Sequence, residues 1–236
     1  MKVLSFPHGE VRFQDCMEGL AGLPDKSWDL CITDPPYGIE FTHCGSNTTE
    51  EFIESKTLFD DSDPGTAWFD EVKRVCDRAV FTCGYKNIRK WMAADDFDLV
   101  VWYNLVKQGE CRVAKMIKWD PILCWNVGKP KKFKQGVINI PSESGCVMRK
   151  DAFISIHPCP KPIRLWNRIV DELRPESVLD PFLGSGTTAQ TCESRGIKYL
   201  AFEIAEQYAG DIEKRAALGI RSFGSRLENG KQKALF

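Results

Sequence analysis

Short apolar runs alternate with stretches of helical period along most of this chain. Trp28 to Thr33, Ala79 to Cys83, Leu99 to Trp102, Ser177 to Leu179 and Tyr199 to Phe202 read as strands. Between them, Trp68, Val72 and Val75 recur at i, i+4 and i+7, so that helix buries one face. Asp63-Pro64 supplies its N-cap and first-turn proline. Leu165, Trp166, Ile169 and Val170 line one side of a helix from Ile163 to Leu173, and further helices are expected from Thr187 to Ser194 and from Glu206 to Leu218. This alternation predicts an α/β fold with helical crossovers. From Lys107 to Gly145 the period fails. Gly109, Pro121, Gly128, Pro130, Gly136 and Pro141 interrupt it, so the stretch reads as an insertion or long functional loop. The chain after Phe223 is polar and expected to be poorly ordered.

Composition narrows the class. With 236 residues, 43% of them hydrophobic, the chain suits one domain carrying a modest insertion. It has no apolar run of about eighteen residues that could span a membrane. Its opening, Met1 to Phe6, is broken too soon by Pro7 and His8 for a secretory signal. A soluble cytoplasmic protein of a bacterium, or of a phage's host, is expected. The ten cysteines form no CxxC pair and only His8, His43 and His157 accompany them, so reduced thiols and no metal site are expected. The net charge of −1 hides a segregation. Leu105 to Lys150 holds ten basic against three acidic residues, whereas Glu40 to Glu71 holds nine acidic residues and one lysine. The basic stretch could neutralise phosphates; a solvated lysine-rich loop would look the same.

Two segments carry the chemistry. Asp34-Pro35-Pro36-Tyr37 follows the run Leu30-Cys31-Ile32, and Asp180-Pro181-Phe182-Leu183-Gly184-Ser185-Gly186-Thr187-Thr188 follows Val178-Leu179. Each sits after a strand, where α/β sheets bind ligands. In the second, glycines let the backbone come close to a ligand, and the helix start behind them favours a carboxylate or phosphate. It is neither a P-loop nor a full GxGxxG fingerprint. The next strand ends at Glu203, placed to accept hydrogen bonds from ribose hydroxyls.

Together these segments resemble the two halves of an S-adenosylmethionine-dependent DNA amino-methyltransferase. Val178 to Ala189 is similar to that family's cofactor motif, with Phe182 beside the methionine portion, and Phe202-Glu203-Ile204 to its ribose-binding strand end. His157-Pro158-Cys159-Pro160-Lys161-Pro162 resembles the HPxxKP segment at the methionine end, with Cys159-Pro160 where the common form has Thr-Gln. Asp15-Cys16-Met17-Glu18 resembles the GDCLE element whose aspartate faces adenine, with Gln14 replacing the glycine. The resemblance implies cofactor contacts from Asp15, Asp34, His157, Lys161, Asp180, Phe182, Gly184, Ser185, Gly186, Thr187 and Glu203.

The first segment answers a chemical problem. An exocyclic base amine has its lone pair delocalised into the ring and is a poor nucleophile. Acceptors for its two N–H groups draw the nitrogen towards tetrahedral geometry. Asp34 supplies one acceptor and the Pro35 carbonyl the other, its direction preset because Pro35 and Pro36 fix φ. Tyr37 offers a face on which an extruded base can stack, flipping being required at roughly a few kcal/mol. Trp102 or Tyr103 matches the place of a second aromatic, with Trp102 equally readable as core.

The order of the segments, catalytic before cofactor, resembles the β group of these enzymes, a circular permutation. That resemblance implies a doubly wound, mostly parallel, Rossmann-like methyltransferase sheet with a short target-recognition insertion. The division would be 1–106 for the catalytic half, 107–145 for recognition, 146–222 for the cofactor half and 223–236 for a tail. Lys129, Lys131, Lys132 and Lys134 would meet DNA. The implied activity is methylation of adenine N6 in DNA, favoured over cytosine N4, as part of restriction–modification, by a chain that could form a homodimer. A nucleic-acid-binding relative without chemistry, and a methyltransferase acting on small molecules or proteins, are the rival classes.

Overall fold

The computed structural model describes residues 1–38, 62–104, 117–128, 133–140 and 160–233, with side chains to 225. Among them, nine strands form one sheet: β1 (Val3–Ser5), β2 (Gly9–Phe13), β3 (Trp28–Thr33), β4 (Cys76–Thr82), β5 (Asp98–Tyr103), β6 (Trp119–Trp125), β7 (Val137–Asn139), β8 (Ser177–Asp180) and β9 (Lys198–Glu203). Their order is β1-β2-β9-β8-β3-β4-β6-β5-β7. The run β2-β9-β8-β3-β4 is parallel, and β6 lies antiparallel to both β4 and β5.

Side chains of these strands alternate between two buried layers, as the period-two geometry of a strand requires. Leu30, Ile32, Val80, Val178, Tyr199, Ala201 and Ile122 face one layer; Cys31, Ala79, Phe81, Leu179, Leu200, Phe202 and Leu123 face the other. Both faces are therefore covered, which is why the strands read as continuous apolar runs. The first layer is closed by α4 (Ile163–Leu173), α5 (Thr187–Glu193) and the start of α6 (Ala209–Lys233). The second is closed by α1 (Cys16–Ala21), α2 (Ala67–Val75) and α3 (Gly84–Ala94). Trp68 stands at the centre of the second layer, edge-on to Phe81, Trp91 and Phe182 at 5.1–5.4 Å. No helix among the described residues is long and apolar enough to cross a membrane.

Three expectations change. The stretch 107–145 is not one loop, because Trp119–Trp125 is a sheet strand lodged between β4 and β5. Its Pro121 is tolerated for a geometric reason. Val101, its partner on β5, sends its N–H to Gly136 on the far side, and pairing with β4 ends at Ile122. The N–H that proline lacks thus has no ladder partner to miss. The helix expected from Asp63-Pro64 begins at Ala67; Asp63 instead accepts the Gly65 N–H at 2.9 Å and pairs with Lys90. The last helix follows a 3₁₀ turn at Glu206–Tyr208 and continues to Lys233, through most of the expected tail. Phe223 on it packs edge-on against His8, 5.1 Å between ring centres.

Candidate active site

The parallel strands deliver Asp34, Thr82, Asp180 and Glu203 to one edge of the sheet, since each lies at or just beyond a strand's C-terminal end. β3 and β8 are neighbours, with Leu30 opposite Val178 and Cys31 opposite Leu179. The two motifs, far apart in sequence, therefore stand side by side. A side-chain bond joins them: the Thr33 hydroxyl donates to Asp180 Oδ1 at 2.5 Å.

Asp180 is 2% exposed, and its carboxylate has three internal donors. Besides Thr33, it accepts the Phe182 N–H at 3.0 Å and the Thr188 hydroxyl at 2.5 Å. Thr188 in turn accepts from Trp166 Nε1 on α4 at 2.7 Å. Burial pushes the Asp180 carboxyl up to about 6 despite these donors. Asp180, expected as a cofactor contact, has its carboxylate engaged by donors that fix the shape of the glycine turn. Ser185 and Thr187, also expected at the cofactor, lie in the same turn. Both are buried, and Thr187 Oγ1 donates to the Lys161 carbonyl at 3.2 Å and accepts from Arg215. Gly186 is demanded by packing: at φ +90°, an added Cβ would lie 3.0 Å from Ile212 Cα of α6. Gly184, at φ +56°, carries the bend itself and donates its N–H to Glu203 Oε2 at 2.7 Å.

Glu203 ends β9 with its other oxygen accepting the Ala205 N–H at 2.8 Å. Burial raises its carboxyl to about 7, the backbone donors of Ala205, Gly184 and Ile204 opposing that rise. A carboxylate has about four acceptor sites, so capacity remains beyond these donors. That spare capacity suits a vicinal diol, so this end of the edge fits the ribose of a nucleoside cofactor. Asp15 stands nearby, since Phe13 pairs with Glu203 and the Gln14 N–H reaches the Glu203 carbonyl. Its exposed side chain caps α1 through the Met17 N–H at 2.8 Å. Phe182 is half-buried on Trp68.

Asp34 gathers three donors. Oδ1 accepts the Tyr37 hydroxyl at 2.6 Å and the Thr82 hydroxyl; Oδ2 pairs with Lys161 Nζ. The Lys161 ammonium also lies 5.1 Å from the centre of the Tyr37 ring. Burial, then the charge of Asp34, lifts the Tyr37 hydroxyl well above its ordinary range, so it stays a neutral donor. The ring rests on Gly84, at φ +65°, where an added Cβ would come within 2.9 Å of it. Asn87 of α3 holds the Tyr37 carbonyl at 2.8 Å. Pro35 is buried and Pro36 half-buried beneath this group.

Trp102 belongs to the core, not to the cleft: it is 2% exposed and its Nε1 donates to the Ile140 carbonyl at 2.6 Å. Strand alternation turns the half-buried Tyr103 the opposite way. Lys134 is exposed, whereas Lys129, Lys131, Lys132 and His157 lie outside the described residues. Sequence reasoning missed Thr33, Thr82, Thr188, Asn87 and Asp120. The first and third adjoin the motifs and were legible as hydroxyls bracketing them. Thr82, Asn87 and Asp120 reach the edge only through the order of strands, Asp120 being buried on β6 within electrostatic reach of Tyr37.

Residues 101–214 match the family model described as DNA methylase, of the N6/N4 methyltransferase type. Over these residues the chain is similar to the N6/N4 DNA methylases. Similar curated proteins include the Type II methyltransferase M.ScaI of Streptomyces caespitosus, 24% identical over 82% of this chain and 76% of the relative. The Type II methyltransferase M.HpaI of Haemophilus parainfluenzae is 23% identical over 92% of this chain and 77% of its own. Among solved structures, the PvuII DNA methyltransferase (cytosine-N4-specific) superposes with a TM-score of 0.60 at 15% identity, covering 92% and 93% of the two chains. The M1.HpyAVI–SAM complex gives 0.56 at 20% identity over 88% and 98%. These likenesses support the mixed α/β fold.

Proposed function

We propose that this protein transfers a methyl group from S-adenosylmethionine to adenine N6 of a base flipped out of DNA, and that it belongs to the permuted β group. One observation carries the reading: the Asp34 carboxylate and the glycine turn of β8 occupy adjacent strand ends, tied by the bond from Thr33 to Asp180. The permuted order is supported by the strand bearing Asp34 preceding the one bearing Asp180 in the chain while neighbouring it in the sheet. The sequence Asp-Pro-Pro-Tyr, rather than the Ser-Pro-Pro-Tyr more frequent in cytosine-N4 enzymes, favours adenine.

In this mechanism Glu203 binds the ribose hydroxyls, and Asp15 and Phe182 border the rest of the nucleoside. S-adenosylmethionine, when bound, supplies an electrophilic methyl on a sulfonium sulfur. Tyr37 stacks the flipped base, with Tyr103 as the candidate for its other side. Asp34 and the Pro35 carbonyl accept the two amine hydrogens and free the nitrogen lone pair for attack on the methyl carbon. The carboxylate also stabilises the positive charge that grows on nitrogen, and the departing proton has Asp34 as its nearest acceptor. The deciding experiment incubates the enzyme with unmethylated genomic DNA and labelled cofactor, then analyses nucleosides. N6-methyladenine is expected; N4-methylcytosine would replace the adenine assignment, and label in neither would end the reading.

The raised carboxyl of Glu203 makes cofactor affinity depend on pH. Only the ionised form keeps its full acceptor capacity. Its folded pKa lies above the ordinary carboxylate value, so protonation removes that form as pH falls below about 7. Calorimetric affinity for S-adenosylhomocysteine should be flat above pH 7.5 and weaken by up to about tenfold per unit below 6.5. Glu203→Gln should be weak throughout and lose the slope.

The basic stretch is proposed to track the DNA backbone. Neutralising Lys129, Lys131, Lys132 and Lys134 together should lower the slope of log K against log salt by about 3, as expected for counterion release. An unchanged slope places the phosphate contacts elsewhere.

A further inference from the structure

The acceptor that must engage the base amine is already engaged by a cation. Lys161 pairs with Asp34 Oδ2 and lies 5.1 Å from the centre of the Tyr37 ring, the face proposed above for the base. Both partners are largely shielded, with side chains 14% and 21% exposed. Three consequences follow from charge and space. The ammonium takes up acceptor capacity on the oxygen that an amine N–H would use. Its head group stands against the ring where the base would stack. It also repels the positive charge that develops on nitrogen during methyl transfer. With Lys161 in this position, Asp34 offers the base amine a weakened and crowded acceptor.

The same lysine is anchored beside the cofactor turn. Its carbonyl accepts the Thr187 hydroxyl at 3.2 Å, and Thr187 opens α5 directly after the glycine bend. The backbone is thereby held, while the rotatable bonds of the four-carbon side chain allow a second position of the ammonium within several ångströms. S-adenosylmethionine carries an α-carboxylate as well as its sulfonium.

We propose that Lys161 is an exchangeable counter-ion that rests on Asp34 in the empty enzyme and leaves it for the cofactor's carboxylate, so that cofactor binding opens Asp34 to the base. Lys161 is then a positioning residue that orders binding, cofactor before base. This rests on the proposed cofactor site but is separable from it: an enzyme that binds no cofactor at all fails the earlier reading, whereas the exchange is read from differences between variants that do bind.

The test is a double-mutant cycle in cofactor affinity by calorimetry, with no turnover required. The ligands are S-adenosylhomocysteine, which has the carboxylate but no sulfonium, and methylthioadenosine, which lacks the amino-acid end. Asp34→Asn removes the anion that retains Lys161 and should tighten S-adenosylhomocysteine about three- to tenfold, within the range of contacting charged pairs. It should leave methylthioadenosine unchanged. In a Lys161→Met background the same Asp34→Asn change should have no effect on either ligand. If Asp34→Asn tightens S-adenosylhomocysteine equally with and without Lys161, simple repulsion explains it and the exchange is wrong. No tightening in either background also overturns it. Thermal melts of the near-isosteric variants confirm folding, and Asp34→Ala and Lys161→Gln repeat the cycle if either fails to fold.

Discussion

Asp34→Ala is expected to lower methyl transfer by about a thousandfold, the scale on which losing one preorganised electrostatic group acts, while S-adenosylhomocysteine still binds. The substitution removes the acceptor for the amine and the anion opposite the charge that grows on nitrogen. The separation of the two effects has a structural basis. Asp34 holds Tyr37, Thr82 and Lys161, whereas the cofactor end is organised by Asp180 and Glu203 through bonds that do not involve it. Label incorporated into unmethylated DNA, set against calorimetric binding, checks both halves. Turnover within tenfold of the parent would remove Asp34 from the chemistry, and a parallel loss of binding would mean that the two ends of the cleft are not independently built.

The second large effect falls on stability. Asp180→Ala leaves the Thr33 and Thr188 hydroxyls and the Phe182 N–H without their common acceptor in a site 2% exposed. At about 1 kcal/mol or more for each buried donor, the loss should reach about 3–4 kcal/mol, or roughly 10 °C in Tm for a chain of this size. Asp180→Asn should lose less, because a hydroxyl can turn to accept from the new amide. The variants also separate in pH. The Asp180 carboxyl is raised to about 6, so the folded state holds the proton more tightly than the unfolded chain. That contribution is complete below about pH 4 and is lost as pH rises through about 6. Denaturant melts from pH 4 to 7.5 should show a steeper decline in the parent than in Asp180→Asn, in which the raised Glu203 carboxyl still contributes. Identical pH profiles would mean that Asp180 does not titrate in this range.

How much of this was readable beforehand depends on whether local pattern or strand order decided it. The helix over Ile163–Leu173 was legible to the residue because five of its eleven side chains are buried on one stripe. β8 and β9 were legible as apolar runs since both their faces are covered. β6 was not: Pro121 and the buried Asp120 sit inside it, and only the absent ladder partner on the β4 side makes the proline harmless. In the candidate site, the motifs singled out Asp34, Tyr37, Gly184 and Glu203, which lie along one edge of the sheet. Yet the motif could not tell which of its members face the cleft. Asp180, Ser185, Gly186 and Thr187 look alike in sequence, and only packing against Thr33, Thr188 and Ile212 shows that they brace the turn. Trp102 was open between cleft and core in the sequence, and strand alternation turns it inward.

The position of β6 matters while the chain is being made. β5 precedes it, yet touches β4 only through it. A polypeptide emerging from the ribosome must therefore hold Asp98–Tyr103 unpaired, with the β4 edge from Ala79 to Thr82 open, until Trp125 has been released. The pair then docks as a ready-made ribbon. Nascent chains halted just before Trp119 should be the ones most in need of a chaperone, because both sticky edges are out and the strand that seals them has not yet arrived.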